Sequence, residues 1–172
     1  MNIFEKTAQD VAPHLWVSKV IDIDFDKLKD MGIKGIILDL DNTILPWKDY
    51  NVPPSSLEWV NRGKSQGFKF IILSNTIHTK RLAHIGSALG CEYIHPAFKP
   101  NPKNYLKACN VLGLEKEETA CVGDQLFTDM KGGRRAGVFC ILVEPMDKKE
   151  FAGTKISRFF ERKVKKYIKY IH

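Results

Sequence analysis

The chain has 172 residues, 44% of them hydrophobic and 27% charged, which is enough for one cored domain without staples and too apolar for a disordered segment. The net charge of +7 is uneven: Lys155 to His172 carries seven basic residues and one acid, so the basic balance describes the tail and not the domain. No run approaches the ~20 apolar residues of a spanning helix, and MNIFEKTAQD lacks a signal core, which points to a cytoplasmic protein, with peripheral contact at the inner membrane surface left open.

Taken in chain order, the sequence alternates strand and helix. GIILDL, Gly35 to Leu40, is a short apolar β-rich run. A turn-rich stretch with Pro46, Pro53 and Pro54 follows, then a predicted helix from Ser56 to about Gln66 capped by Ser55. FKFIIL, Phe68 to Leu73, is a second buried strand. Thr79 to Leu89 reads as a helix stopped by Gly90, and Glu92 to Ile94 as a short third strand. A helix over Pro102 to Leu112, a strand over Thr119 to Val122, a helix over Asp129 to Ala136 and a fifth strand over Val138 to Val143 complete the pattern. This rhythm predicts an α/β fold, a doubly wound parallel five-stranded sheet. Cys91, Cys109, Cys121 and Cys140 form no C-x-x-C pair and read as reduced core thiols.

In such sheets ligands sit beyond the carboxyl ends of the strands. The polar residues expected there are Asp39 and Asp41 after the first strand, Ser74 and Asn75 after the second, Lys99 after the third, and Asp124 and Asp129 after the fourth. Clustered carboxylates repel unless a cation lies among them, and an all-oxygen donor set suits Mg2+ better than zinc. Lys99 offers a point charge and Ser74 a hydroxyl for phosphate oxygens, the ingredients of a phosphoryl-transfer site.

These residues resemble the four motifs of the haloacid dehalogenase-like (HAD) superfamily: Asp39-Leu40-Asp41-Asn42-Thr43, then Ser74, then Lys99, then Gly123-Asp124 with Asp129. The resemblance spans Gly35 to Val143. It implies a HAD-like Rossmannoid fold with Asp39 as nucleophile and Asp41 as acid and base. It also implies a magnesium site from Asp39, the carbonyl of Asp41 and Asp124, with Asp129 as a further ligand or as a residue orienting the others, and Ser74, Asn75 and Lys99 near the phosphoryl group. The gaps of 35 residues from Asp39 to Ser74 and 25 from Ser74 to Lys99 hold no cap domain. GIKGIILDLDNTILPW, SNT, FKP and VGDQLFTD are further similar to the YqeG-type subfamily IIIA phosphatases. That branch resembles the phosphatidylglycerophosphate phosphatases, which implies an anionic phospholipid as substrate. A phosphorylated protein, a polynucleotide end, and a non-catalytic phospho-accepting or nucleic-acid-binding domain are the alternative readings.

The expected organisation is a catalytic domain over 1–150 and a basic amphipathic helix over 151–172. In that helix Ile156, Phe159, Phe160, Val164, Tyr167, Ile168 and Ile171 form an apolar stripe, with Lys155, Arg158, Arg162, Lys163, Lys165, Lys166 and Lys169 around it. It suits either packing on the sheet or an anionic membrane surface; charge confined to one short helix argues against nucleic acid. His78 and Arg81, just after the second motif, are within reach of a substrate headgroup but read rather as solvated surface, Trp47 as a flap residue or packing anchor, Trp16 and Trp59 as core, and Asp22, Asp24 and Asp26 as surface or a helix cap.

Overall fold

The central strands are apolar at almost every position because helices cover both of their faces. The computed structural model describes residues 2–147 and 152–168. Its elements are α1 (Ile3–Val11), β1 (Leu15–Val17), α2 (Phe25–Asp30), β2 (Gly35–Leu38), α3 (Pro54–Ser65), β3 (Lys69–Leu73) and α4 (Thr79–Leu89). They continue with β4 (Glu92–Ile94), α5 (Lys103–Leu112), β5 (Thr119–Gly123), α6 (Lys131–Ala136), β6 (Phe139–Val143) and α7 (Ala152–Ile168). The strands form one parallel sheet in the order β1-β6-β5-β2-β3-β4. The fold is thus the α/β architecture read from the sequence, with six strands in place of five. The extra strand, β1, is an edge strand of three half-buried residues paired with β6, too short to show a period.

Side chains alternate across the sheet with the strand period of two. Ile36, Leu38, Phe70, Ile72 and Val122 face a layer built from Phe25 and Leu28 of α2, Trp59 and Val60 of α3 and Leu82 and Ile85 of α4. Ile37, Ile71, Cys121, Cys140 and Leu142 face the opposite layer, with Tyr105 and Ala108 of α5, Ala8 and Val11 of α1 and Val164 and Ile168 of α7. Helix ends follow local chemistry. Asp24 caps α2 by accepting N–H bonds from Asp26 and Lys27, and Gly90, Gly113 and Gly137 end α4, α5 and α6 in the left-handed region. Ser55 is not a cap: α3 begins at Pro54, where a proline's missing N–H costs nothing. Trp59 is buried in the core, whereas Trp16 is half-buried and donates its indole N–H to Glu144 at 2.7 Å.

Two connections decide where a site can form. From β2 the chain moves outward to β3 and β4, and β5 returns to pair with the other edge of β2. The strand order reverses between β2 and β5, so their carboxyl ends open a crevice. Only a loop and α3 separate β2 from β3, and only α4 separates β3 from β4, so no cap lies over that crevice.

The α6 helix rests directly on β5 and β6. A Cβ at Gly133 would lie 2.4 Å from Cys121 Sγ and 2.8 Å from Cys140 Sγ. Gly133→Val is therefore expected to lower the unfolding free energy by about 1–3 kcal/mol through overpacking, read as a lower urea midpoint at unchanged slope. An unchanged midpoint would show that α6 has more room than these distances allow.

Candidate active site

The carboxyl ends of β2 and β5 carry Asp39 and Asp124. Asp39 follows β2 directly, and its N–H still bonds Val122 O at 3.0 Å. The chain then turns sharply. Asn42 adopts φ 63°, and the N–H groups of Thr43 and Ile44 both return to Leu40 O at 3.0 Å. This turn separates Asp39 and Asp41, which an extended strand would have placed on one side. The Asp39 carboxylate points inward, whereas the Asp41 carboxylate stands apart from it.

Asp39, Asp124 and Asp129 bring carboxylate oxygens within 4.8 Å of one another. Thr43, 1% exposed, sits between two of them, its hydroxyl 2.9 Å from Asp39 Oδ2 and 3.2 Å from Asp124 Oδ1. Lys99 Nζ donates to Asp39 Oδ1 and Asp129 Oδ1, both at 2.7 Å. Burial works against the charge on Lys99, but Asp129 and Asp39 outweigh it and push its pKa above the ordinary lysine value. Burial, with Asp39 beside it, raises Asp129 to about 6 against the pull of Lys99. Burial likewise raises Asp124 well above the usual carboxylate range, with Arg158 opposing. Gly123 is part of this packing: a Cβ there would lie 2.3 Å from Asp129 Cγ, so only glycine leaves room for the Asp129 carboxylate.

Ser74 and Lys99 flank the same pocket, a cavity of about 600 Å³ that also reaches Asp39, Asp41, Arg81 and Thr154. Ser74 is 2% exposed and its Oγ accepts the N–H of Thr76 at 3.1 Å. Asn75 acts on Lys99: its Oδ1 accepts the Lys99 N–H at 3.0 Å and its Nδ2 donates to Lys99 O at 3.3 Å. Both ends of the amide are thereby engaged in holding the Lys99 loop. Trp47 is half-buried and lines the pocket, and His78 is exposed at its rim.

Two arginines take buried, paired places that their sequence pattern does not show. Arg81, read from the sequence as solvated surface, is 3% exposed and forms a bidentate pair with Asp41, at 2.7 Å to Oδ1 and 3.2 Å to Oδ2. Arg158, placed by the tail pattern among the solvated basic residues, is buried. Its Nη2 pairs with Asp124 Oδ2, and its Nη1 donates to Asp124 O at 2.5 Å and to Glu161 Oε2 at 3.0 Å. Glu161 is 1% exposed and accepts the Phe127 N–H at 3.3 Å. The helix is turned so that Arg158 and Glu161 share the buried face with Val164 and Ile168, while Ile156, Phe159 and Phe160 are exposed and Tyr167 is half-buried. The signal was the i, i+3 spacing of Arg158 and Glu161 in register with Val164 and Ile168. Lys169, Tyr170 and Ile171 lie outside the described residues, and none of the described helices is long and apolar enough to cross a membrane.

A crevice at a strand-order reversal, lined by paired aspartates, a serine and a buried lysine, defines the class: a hydrolase of the haloacid dehalogenase-like type. The family model for haloacid dehalogenase-like hydrolases matches residues 46–137, a span that starts just after the two aspartates of the first loop. The chain is 37% identical over 152 residues to the "Probable phosphatase YqeG" of Bacillus subtilis, covering 88% of each. It therefore belongs to the haloacid dehalogenase-like hydrolase family, as one of its phosphatases. It is also 26% identical over 158 residues to "Phosphatidylglycerophosphate phosphatase 1, chloroplastic/mitochondrial" of Arabidopsis thaliana, spanning 87% of this chain and 45% of that protein's length. An uncharacterized protein from Listeria monocytogenes serotype 4b, solved by crystallography, shares the fold at a TM-score of 0.54 over 77% of this chain and 99% of its own, with 18% identity.

Phosphatases of this family use a divalent metal. The cluster of Asp39, Asp124 and Asp129 offers oxygen ligands alone, without His or Cys, and this hard donor set fits Mg2+. Arg158 now supplies positive charge at Asp124, in part replacing what a metal would supply. Arg158→Met leaves a buried carboxylate without its cation and is expected to destabilise the metal-free protein by roughly 3–5 kcal/mol. Magnesium should then raise the melting temperature of the variant more than that of the wild type. Equal magnesium shifts in the two would separate Arg158 from the metal site.

Proposed function

We propose that the chain is a magnesium-dependent phosphomonoesterase that works through an aspartyl-phosphate, with phosphatidylglycerophosphate, converted to phosphatidylglycerol, as its substrate. The observation that carries the reading is Asp39 itself. Its carboxylate stands at the floor of an uncapped pocket, with Lys99 on one oxygen and Thr43 on the other.

In the first step an Asp39 oxygen attacks phosphorus, and the bond to the leaving oxygen breaks as Asp41 delivers it a proton. In the second, Asp41 takes a proton from water, which attacks phosphorus and releases phosphate and the free Asp39 carboxylate. Lys99 and Ser74 hold the phosphoryl oxygens as charge builds on them. Asp39, the Asp41 carbonyl, Asp124 and Asp129 would hold magnesium, which would supply further positive charge for those oxygens. Asn75 contributes through the Lys99 loop.

Support for a lipid substrate comes from the similarity to the Arabidopsis protein and from the apolar surface near the site. Ile77, 83% exposed, lines the pocket, and Phe98, 66% exposed, precedes Lys99. On α7 the exposed Ile156, Phe159 and Phe160 flank Arg158, and Arg162 and Lys163 stack over the Phe159 ring. Aromatic and aliphatic side chains interleaved with Lys and Arg suit peripheral contact with an anionic bilayer on its cytoplasmic side. In this reading residues 1–150 carry the reacting groups, and the segment 151–172 packs on them and presents the membrane-contacting face.

The test is phosphate release from vesicles containing phosphatidylglycerophosphate, with magnesium or with EDTA, and from p-nitrophenyl phosphate alongside. Wild type should release phosphate only with magnesium, and Asp39→Asn should lose at least about 10³-fold in rate. Turnover of the aryl ester alone would discard the lipid, and inactivity on both would discard the phosphatase reading.

A further inference from the structure

Arg81 occupies an unfavourable place for a cation. It lies in the first turn of α4, where the helix dipole disfavours positive charge, and it is 3% exposed. Its anion explains it. The two arms of the guanidinium take both oxygens of Asp41, and Nε donates to Asp49 O at 2.6 Å, tying down the loop that follows the first motif. Asp41 Oδ1 also accepts the Lys48 N–H at 3.3 Å.

This arrangement conflicts with the role proposed for Asp41. To pass a proton to the leaving oxygen, Asp41 must turn a carboxylate oxygen toward it, and the bidentate fork of Arg81 fixes the orientation of the carboxylate. The fork must therefore open in each turnover. Opening it leaves a buried guanidinium without its anion, which is strongly unfavourable unless another anion replaces Asp41. The transferred phosphoryl group is not that anion, since Lys99 and Ser74 already stand where it must lie, beside Asp39. Arg81 opens into the same cavity on the Asp41 side, with Lys48 and His78 also lining it. These groups surround the place the leaving alcohol must occupy.

We infer that the leaving alcohol carries a second anionic group, a phosphate monoester or diester, which takes the Arg81 fork and so releases Asp41 for proton transfer. Arg81 is then a specificity-determining residue: an ester without the second anion binds at Asp39 but finds Asp41 tied. The planar fork suits phosphate oxygens as well as it suits a carboxylate. The inference rests on the phosphatase reading and deepens it.

Two soluble esters with the same reacting group test it: propane-1,3-diol bisphosphate and 3-hydroxypropyl phosphate. Wild type with magnesium should favour the bisphosphate by at least about tenfold in kcat/KM, with most of the difference in kcat. Arg81→Gln should bring the ratio to within about threefold of unity. Equal rates on the two esters in wild type, or an unchanged ratio in Arg81→Gln, would overturn the inference and leave the phosphatase reading standing. Release from neither ester would overturn the inference, and the phosphatase reading would fall with it only where the lipid vesicles and p-nitrophenyl phosphate are also left intact. Because Arg81→Gln could fail to fold, Asp41→Asn supplies a second reading, with Arg81 in place and its competitor weakened. In calorimetric titrations with propane-1,3-bisphosphonate and propylphosphonate, it should tighten the bisphosphonate at least about threefold more than the monophosphonate. Equal changes for the two ligands would overturn the inference.

Discussion

Three carboxylates with oxygens within 4.8 Å of one another cannot share a protein interior unless cations are placed among them. Most of the unusual features near the site answer that requirement. Lys99 is brought in by the loop after β4 and bridges Asp39 to Asp129. Arg158 arrives from α7 and pairs with Asp124. Thr43 fills the gap between Asp39 and Asp124 with one hydroxyl. Gly123 is glycine because Asp129 occupies the space its side chain would need. Desolvation still raises Asp124 and Asp129, so the two lone cations do not satisfy the cluster fully. An added divalent ion would favour the charged forms that burial disfavours.

The parts of this arrangement that were legible in the sequence are the parts set by local rules. Strand ends could be located because buried strands are short apolar runs between turn residues, and the fold places sites at those ends. Asp39, Ser74, Lys99 and Asp124 followed from position, and the order of acid, hydroxyl, lysine and acid pointed to phosphoryl transfer. Gly90 and Gly113 marked helix ends because a left-handed residue there is almost always glycine. β1 escaped because Leu15–Val17 gains its strand character from pairing with β6, a neighbour more than a hundred residues away in sequence.

Arg81 and Arg158 escaped for a related reason. Nothing within a few residues of Arg81 says that it is buried, and the one local sign for Arg158, its i, i+3 spacing to Glu161, is outweighed by the basic residues around it. Each is buried because its partner, Asp41 or Asp124, lies 40 or 34 residues away in sequence and the sheet brings the two together. An exposed and a paired arginine look identical in a helical pattern, so the periodicity of the tail assigned Arg158 to the wrong face. The same limit affected Asn75. Its place beside Ser74 suggested phosphate, but its amide is matched to the backbone of Lys99, which makes it a support for the lysine.

Charge counting connects these observations to turnover. With each group in its charged state, Asp39, Asp124, Asp129 and the Arg158-paired Glu161 with Lys99 and Arg158 sum to −2, and Asp41 with Arg81 sums to zero. A divalent cation brings the site to zero, and a phosphate dianion then returns it to −2. Each addition keeps the net charge small, so neither ligand meets a strongly repulsive field. The arginines make this possible, since without Arg158 and Arg81 the same site would stand at −4 before any ligand arrived. Arg158 also fixes α7 to Asp124 through a rigid helix whose outer face carries Ile156, Phe159 and Phe160. The surface that those residues present and the carboxylate at the centre of the site are therefore parts of one mechanical unit, and displacement of the helix changes the charge balance on which the site depends.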